Sequence, residues 1–206
     1  MRDALTWLQA SRASDIASLQ RLLETGELMA AVSELVHRLQ RERGANNLWI
    51  CSDGALFSAE RHARQQEVSA GLEHFYQALP AAIAQPGYSR FCNLIAAALQ
   101  ALAGLPALRQ QISQRELDQA AAMAAFNQVI RTLLNLVFEA ADTASYPGIS
   151  RALIALFSFM QGKELAGQER AIGSAGFAAR QFTPDQRSQM VALIAEQEQS
   201  FKIGRA

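Results

Sequence analysis

Apolar residues recur at three- and four-residue spacing along almost the whole chain, and no stretch alternates apolar with polar positions long enough to be a strand. The pattern predicts helices throughout. The first is expected from about Asp3 to Thr25, stopped by Gly26, and the second from about Glu27 to Cys51, stopped by Ser52-Asp53-Gly54. A third covers roughly Ala55 to Leu79, and after a Gln85-Pro86-Gly87 turn a fourth runs to about Ala103. Gly104-Leu105-Pro106 opens a short connector, and Ser113-Gln114-Arg115-Glu116 reads as a capping box that starts a long helix to about Ala141. Thr143 to Gly148 is a breaker before another long helix, and Thr183-Pro184-Asp185-Gln186 supplies an N-cap, a first-turn proline and a reciprocal glutamine for a last helix to near Ser200. Long helices joined by short turns predict an all-α chain of one or two antiparallel bundles, and a boundary near Gly104 to Ser113 would separate a first four-helix unit, residues 1–104, from a second, residues 113–206.

Two short strings interrupt this apolar regularity with charge: Gln40-Arg41-Glu42-Arg43-Gly44-Ala45 and Gly167-Gln168-Glu169-Arg170-Ala171, one in each half. At about 100° per residue from Val32, the side chains of Leu35, Val36, Leu39, Arg43 and Ile50 fall within about 60° of one line. Glu42 lies on the flank of that stripe, and Glu34, Arg38 and Arg41 on its far side. Arg43 is thus expected on a buried face. The second string is less clean, because Ile154 to Met160 is apolar nearly all round and predicts a helix buried on most faces, while Arg170 shares a face with Phe159, Lys163, Ala166, Gly173 and Phe177. A guanidinium that folding buries needs an anion, and two that converge would want one the protein does not itself supply. The plainer alternative is a pair of surface arginines matched with neighbouring carboxylates such as Glu42 and Glu169.

Composition narrows the classes. With 206 residues the chain can bury a sizeable core, and with 19 basic and 19 acidic residues its formal charge is zero, so no basic face or tail advertises nucleic acid or an anionic membrane. Cys51 and Cys92 match no metal or redox spacing and read as small buried hydrophobes in a reducing compartment, with a disulfide left open. The N-terminus carries charges early and lacks a signal-peptide core, and the apolar stretch Phe91 to Leu108 is interrupted by Asn93, Gln100 and Pro106, as in a core helix. No membrane span and a cytoplasmic location are therefore expected. His37, His62 and His74 are scattered, Glu60-Arg61-His62 has no metal-ligand partner at helical spacing, and Gly162-Lys163 lacks the glycine-rich run of a phosphate loop. No nucleophile stands beside a base, which makes an enzyme a poor reading.

At Leu39 to Trp49 and at Gly162 to Ala171 the sequence resembles the nitrate- and nitrite-sensing (NIT) domain, especially the soluble version in nitrate-responsive transcription antiterminators. The resemblance extends from about Leu28 to Ser200. It implies an all-helical sensor of two four-helix bundles with the anion held between them by one arginine from each motif, here Arg43 and Arg170. It also implies no catalytic activity, no cofactor beyond nitrate or nitrite as effector, a homodimer, and RNA contact only through an appended ANTAR-type domain. No such output module is recognisable before the chain stops at Ala206. Nitrate is a planar monoanion, and a guanidinium fork offers two parallel N–H donors to two of its oxygens, which lysine cannot. Gly44, Gly167 and Gly173 would let helices or ligand approach closely, and Asn46, Asn47, Gln168 and Ser174 are candidate further donors. The rivals are a structural or protein-interaction bundle whose Glu-Arg pairs are surface salt bridges, and a sensor for another small ligand.

Overall fold

The computed structural model describes residues 3–79, 89–144 and 146–204, and every regular element among them is a helix. The helices are α1 (Ala4–Cys51), α2 (Ser58–Gln77), α3 (Ser89–Ala103), α4 (Leu105–Ser113), α5 (Gln119–Asp142), α6 (Pro147–Ala178) and α7 (Pro184–Ile203). The Gln85-Pro86-Gly87 turn expected from the sequence lies outside the described residues.

Helix α1 runs unbroken for 48 residues, about 70 Å, so the expected stop at Gly26 is absent. An interior glycine costs a helix only about 1 kcal/mol relative to alanine, and nothing after Gly26 in the sequence competes for the backbone. The helix is also partly covered on both sides of it: Ser18, Arg21, Leu22 and Thr25 are half-buried and line one cavity with Thr143, Tyr146 and Leu153 of the α5–α6 corner, and Leu28 onward enters the core. The stop at Ser52-Asp53-Gly54 is real. Asp53 and Gly54 take positive φ, and the Gly54 amide donates to the Trp49 carbonyl at 2.9 Å.

The expected capping box at Ser113 is not formed. Ser113 ends α4, where its hydroxyl donates to the Arg109 carbonyl and accepts from Arg61, and Arg115 then turns through a left-handed φ of 58°. The cap of α5 is Asp118, whose carboxylate accepts the Ala121 amide at 2.7 Å. By contrast, the capping box at Thr183 and Gln186 is formed in both directions.

Helix α1 packs on α2, α5 and α6; α5 packs in addition on α3 and α6, and α7 lies on α6. A single hydrophobic cluster, including Leu35 and Leu39 of α1, Phe75 of α2, Leu102 of α3, Ile112 of α4, Phe126 and Leu133 of α5 and Met160 of α6, is continuous across the boundary expected at 104–113. Ser89–Ser113 and Gln119–Asp142 match membrane-spanning helices in length and apolarity, but Gly104 divides the first into α3 and α4, and α5 sits at the centre of the core. Cys51 and Cys92 are half-buried, not core residues, and burial pushes the Cys51 thiol pKa up. Helix α6 is less buried than its sequence suggests. Ile154 and Phe159 are exposed, because α6 is covered by α1 and α5 on one side and on the other by α7, which buries no residue of its own. A Cβ at Gly162 would come within 2.8 Å of the Phe201 ring, so that glycine is what lets α7 close onto α6.

Candidate functional site

Helices α1 and α6 bring the two Glu-Arg strings together from opposite halves of the chain. Between them, with the start of α2 as a third wall, lies a cleft of about 470 Å³ lined by residues that include Arg43, Gly44 and Asn47 of α1 and Gly167, Arg170 and Ser174 of α6. Six of the nine residues singled out from the sequence therefore share one cavity, and Asn46, Gln168 and Gly173 are not part of its lining. On α1 the lining positions are 37, 40, 41, 43, 44, 45, 47 and 48, more than half of the helix circumference, and on α6 they are 163, 167, 170, 171 and 174, a single helical face.

Arg43 is 2% exposed, as its helical phase predicts. The anion that its burial requires is supplied from α6, by a carboxylate outside both Glu-Arg strings. Arg43 Nη1 pairs with the Glu164 carboxylate and donates to Asn127 Oδ1 at 2.5 Å. Glu164, itself buried, also accepts from Gln40 at 3.0 Å and Gln168 at 2.8 Å, so a buried charge is matched by three side chains drawn from two helices. Neither carboxylate in the strings pairs with its own arginine. Glu42, placed on the helix flank by phase, is 0% exposed and takes a bidentate pair of bonds from Arg109, at 2.7 and 2.8 Å. Glu169 accepts from Gln197 of α7 at 2.8 Å.

Both Nη1 contacts lie on one edge of the Arg43 guanidinium. Its Nη2 lies beside Gly167, where a Cβ would stand 2.4 Å away, so only glycine at 167 admits the guanidinium in this position. Gly44 and Gly173 have no such role, since a Cβ at either meets nothing within 4 Å. Asn47 is committed to structure through its Oδ1, which accepts from Gln119 at 2.7 Å, and the Ser174 hydroxyl donates to the Arg170 carbonyl at 2.9 Å. Asn46 is fully buried, with its amide on the Glu42 carbonyl, and lies outside the cleft lining.

Arg170 differs from Arg43 in every respect but charge. It is exposed, and no carboxylate among the described residues lies within ion-pair distance of it. Arg41 is exposed, as expected, but it is not remote: it lines the rim of the cleft, paired with Glu67 at 3.0 Å. Five positive side chains, Arg41, Arg43, Arg64, Lys163 and Arg170, line the cavity; Glu67, Glu164 and Glu60 pair with the first three, and Lys163 and Arg170 have no carboxylate within ion-pair distance among the described residues, an excess of two positive charges. A chain with no net charge has gathered a positive cleft that its sequence did not advertise. Burial, reinforced by Arg170, holds the Lys163 pKa below the usual lysine range, with Glu164 opposing. His37, whose Nδ1 is 2.7 Å from Lys163 Nζ, is held below the usual histidine value by burial first and Lys163 second.

Residues 34–205 match the family model described as nitrate and nitrite sensing. The chain belongs to that family. It is 42% identical over 199 residues to a nitrate regulatory protein of Klebsiella oxytoca, a match covering 97% of this chain and 50% of the relative. It also superposes on the structure of the NasR transcription antiterminator with a TM-score of 0.88 at 42% identity, covering 96% of this chain and 54% of that one. The chain thus spans about half the length of both. These relatives are regulators, and this NIT domain is a sensory unit, not an enzyme.

Sequence reasoning did not find Glu164, Gln40, Asn127, Lys163 or His37 as part of this site. Lys163 and Glu164 stand within the second matched string, one turn before Gly167, and that spacing was the available signal. Nothing local points to Asn127 on α5.

Proposed function

We propose that this domain binds nitrate or nitrite in the cleft between α1 and α6, with Arg43 and Arg170 as the two guanidinium donors. The observation that carries the reading is the contrast between them at one cavity: Arg43 is fixed from behind by Glu164 and Asn127 with Nη2 at Gly167, and Arg170 faces it without a carboxylate. A planar anion between two guanidinium edges satisfies both and relieves their mutual repulsion. Binding draws α6 toward α1, and α7 travels with α6 through Phe201 on Gly162 and Gln197 on Glu169. The ligand acts by favouring one packing of these helices over another.

In this reading the domain works in the cytoplasm, as one protomer of a homodimer, and controls an RNA-binding antitermination module of the ANTAR type outside this sequence. Support for that context comes from the kinds of protein it resembles, a nitrate regulatory protein and a transcription antiterminator. Nitrate at a hundredfold excess over its dissociation constant is expected to stabilise the fold by about 2.7 kcal/mol, seen as a rise in melting temperature that grows with the logarithm of concentration. Chloride at equal ionic strength should give no such rise, and equal responses to both salts would reject the proposal.

A further inference from the structure

Lys163 and His37 sit in the same cleft as the two arginines, and neither has a carboxylate partner there. Lys163 lies two turns before Arg170 on the same face of α6, and its Nζ reaches across to Nδ1 of His37 on α1 at 2.7 Å. An ammonium has only donors, so Nδ1 accepts, and the pair shares one proton. A second proton would place two cations 2.7 Å apart in a cavity already lined by arginines.

We propose that Lys163 is a third cationic arm of the anion site, held by His37 while the cleft is empty, and that the anion replaces Nδ1 of His37 as the acceptor of the ammonium, so that the imidazole takes up one proton from solvent when the anion binds. This rests on the nitrate reading above and names a residue that reading does not use. In the empty cleft, the surroundings of His37 are Lys163 from α6, Arg38 and Arg41 from its own helix, and Glu67 from α2; Lys163 faces Arg170 and Glu164 from its own helix. Most of these are positive, and burial acts in the same direction, so His37 is neutral at neutral pH. An anion beside Lys163 supplies the missing negative charge. The His37 pKa then rises on binding, the bound state holds more protons than the free state, and affinity increases as pH falls through the bound-state value. His37 acts through Lys163 and is a positioning residue.

Calorimetry with nitrate at about pH 6 in two buffers of different ionisation enthalpy, Bis-Tris and imidazole, measures the protons taken up per anion. The wild type is expected to take up a measurable fraction of one proton. Lys163→Met should weaken binding at least about tenfold, the loss of one charge-assisted hydrogen bond, with an unchanged melting temperature, because Lys163 makes no ion pair. His37→Asn should abolish the proton uptake and flatten the rise of affinity on acidification. Wild-type binding without proton uptake, or undiminished affinity in Lys163→Met, overturns this proposal and leaves the nitrate reading intact. A wild type that binds no nitrate overturns both.

Discussion

Arg170→Ala is expected to abolish nitrate binding without moving the melting temperature, whereas Arg43→Ala abolishes binding and destabilises the fold by about 3–5 kcal/mol. The difference follows from what each guanidinium leaves behind. Arg170 is exposed and holds no carboxylate, so its removal exposes no unmatched charge. Arg43 is the one cation on Glu164, and without it that carboxylate stays buried with only the two amides of Gln40 and Gln168. For a domain of this size the loss corresponds to a fall of roughly 10 °C in melting temperature, measurable by scanning calorimetry. Arg43→Met combined with Glu164→Leu should recover much of the stability and none of the binding, separating the two roles. Arg12→Ala, on the exposed N-terminal part of α1, serves as a control that changes neither.

Gly167→Ala is the second large effect. The added methyl would stand 2.4 Å from Nη2 of Arg43, and the guanidinium cannot retreat along its other edge, where Glu164 and Asn127 hold Nη1. The fork must rotate away from the anion, and a misplacement of about 1 Å is expected to weaken binding about ten- to a hundredfold. Gly173→Ala, one and a half turns further along α6, meets nothing within 4 Å. It should bind as the wild type and melt slightly higher, since alanine is favoured over glycine in a helix by about 0.5–1 kcal/mol. Equal affinities for the two alanine variants, by titration calorimetry, would mean that the Arg43–Gly167 contact has no part in the site.

Much of this was legible in the sequence. Helical periodicity is a local signal, and it found the long helices and put Arg43 on the buried stripe, although it split α1 at Gly26 and read α4 as a connector. The paired strings gave four of the six cleft residues, Arg43, Gly44, Gly167 and Arg170, and Asn47 and Ser174 stand about one turn beyond them. What was missed depends on which helix meets which. Glu42 was read as a flanking position, yet Arg109 of α4 covers it, and no property of α1 alone announces that neighbour. Glu164 was not recognised as the counter-ion of Arg43 for the same reason. The errors at Gly26 and Ser113 have another origin: both residues carry the right local chemistry for a stop or a start, and tertiary contacts overrode it, at the α5–α6 corner for the first and at Arg61 for the second.

The central claim is that one anion bridges Arg43 and Arg170, and a crystal structure of the domain with saturating nitrate tests it most directly. The account predicts a planar density in the α1–α6 cleft within hydrogen-bond distance of Nη2 of Arg43 and of the Arg170 guanidinium, with Glu164 still on Nη1. Nitrate bound elsewhere, or a cleft left empty at a concentration that saturates binding in solution, would contradict it.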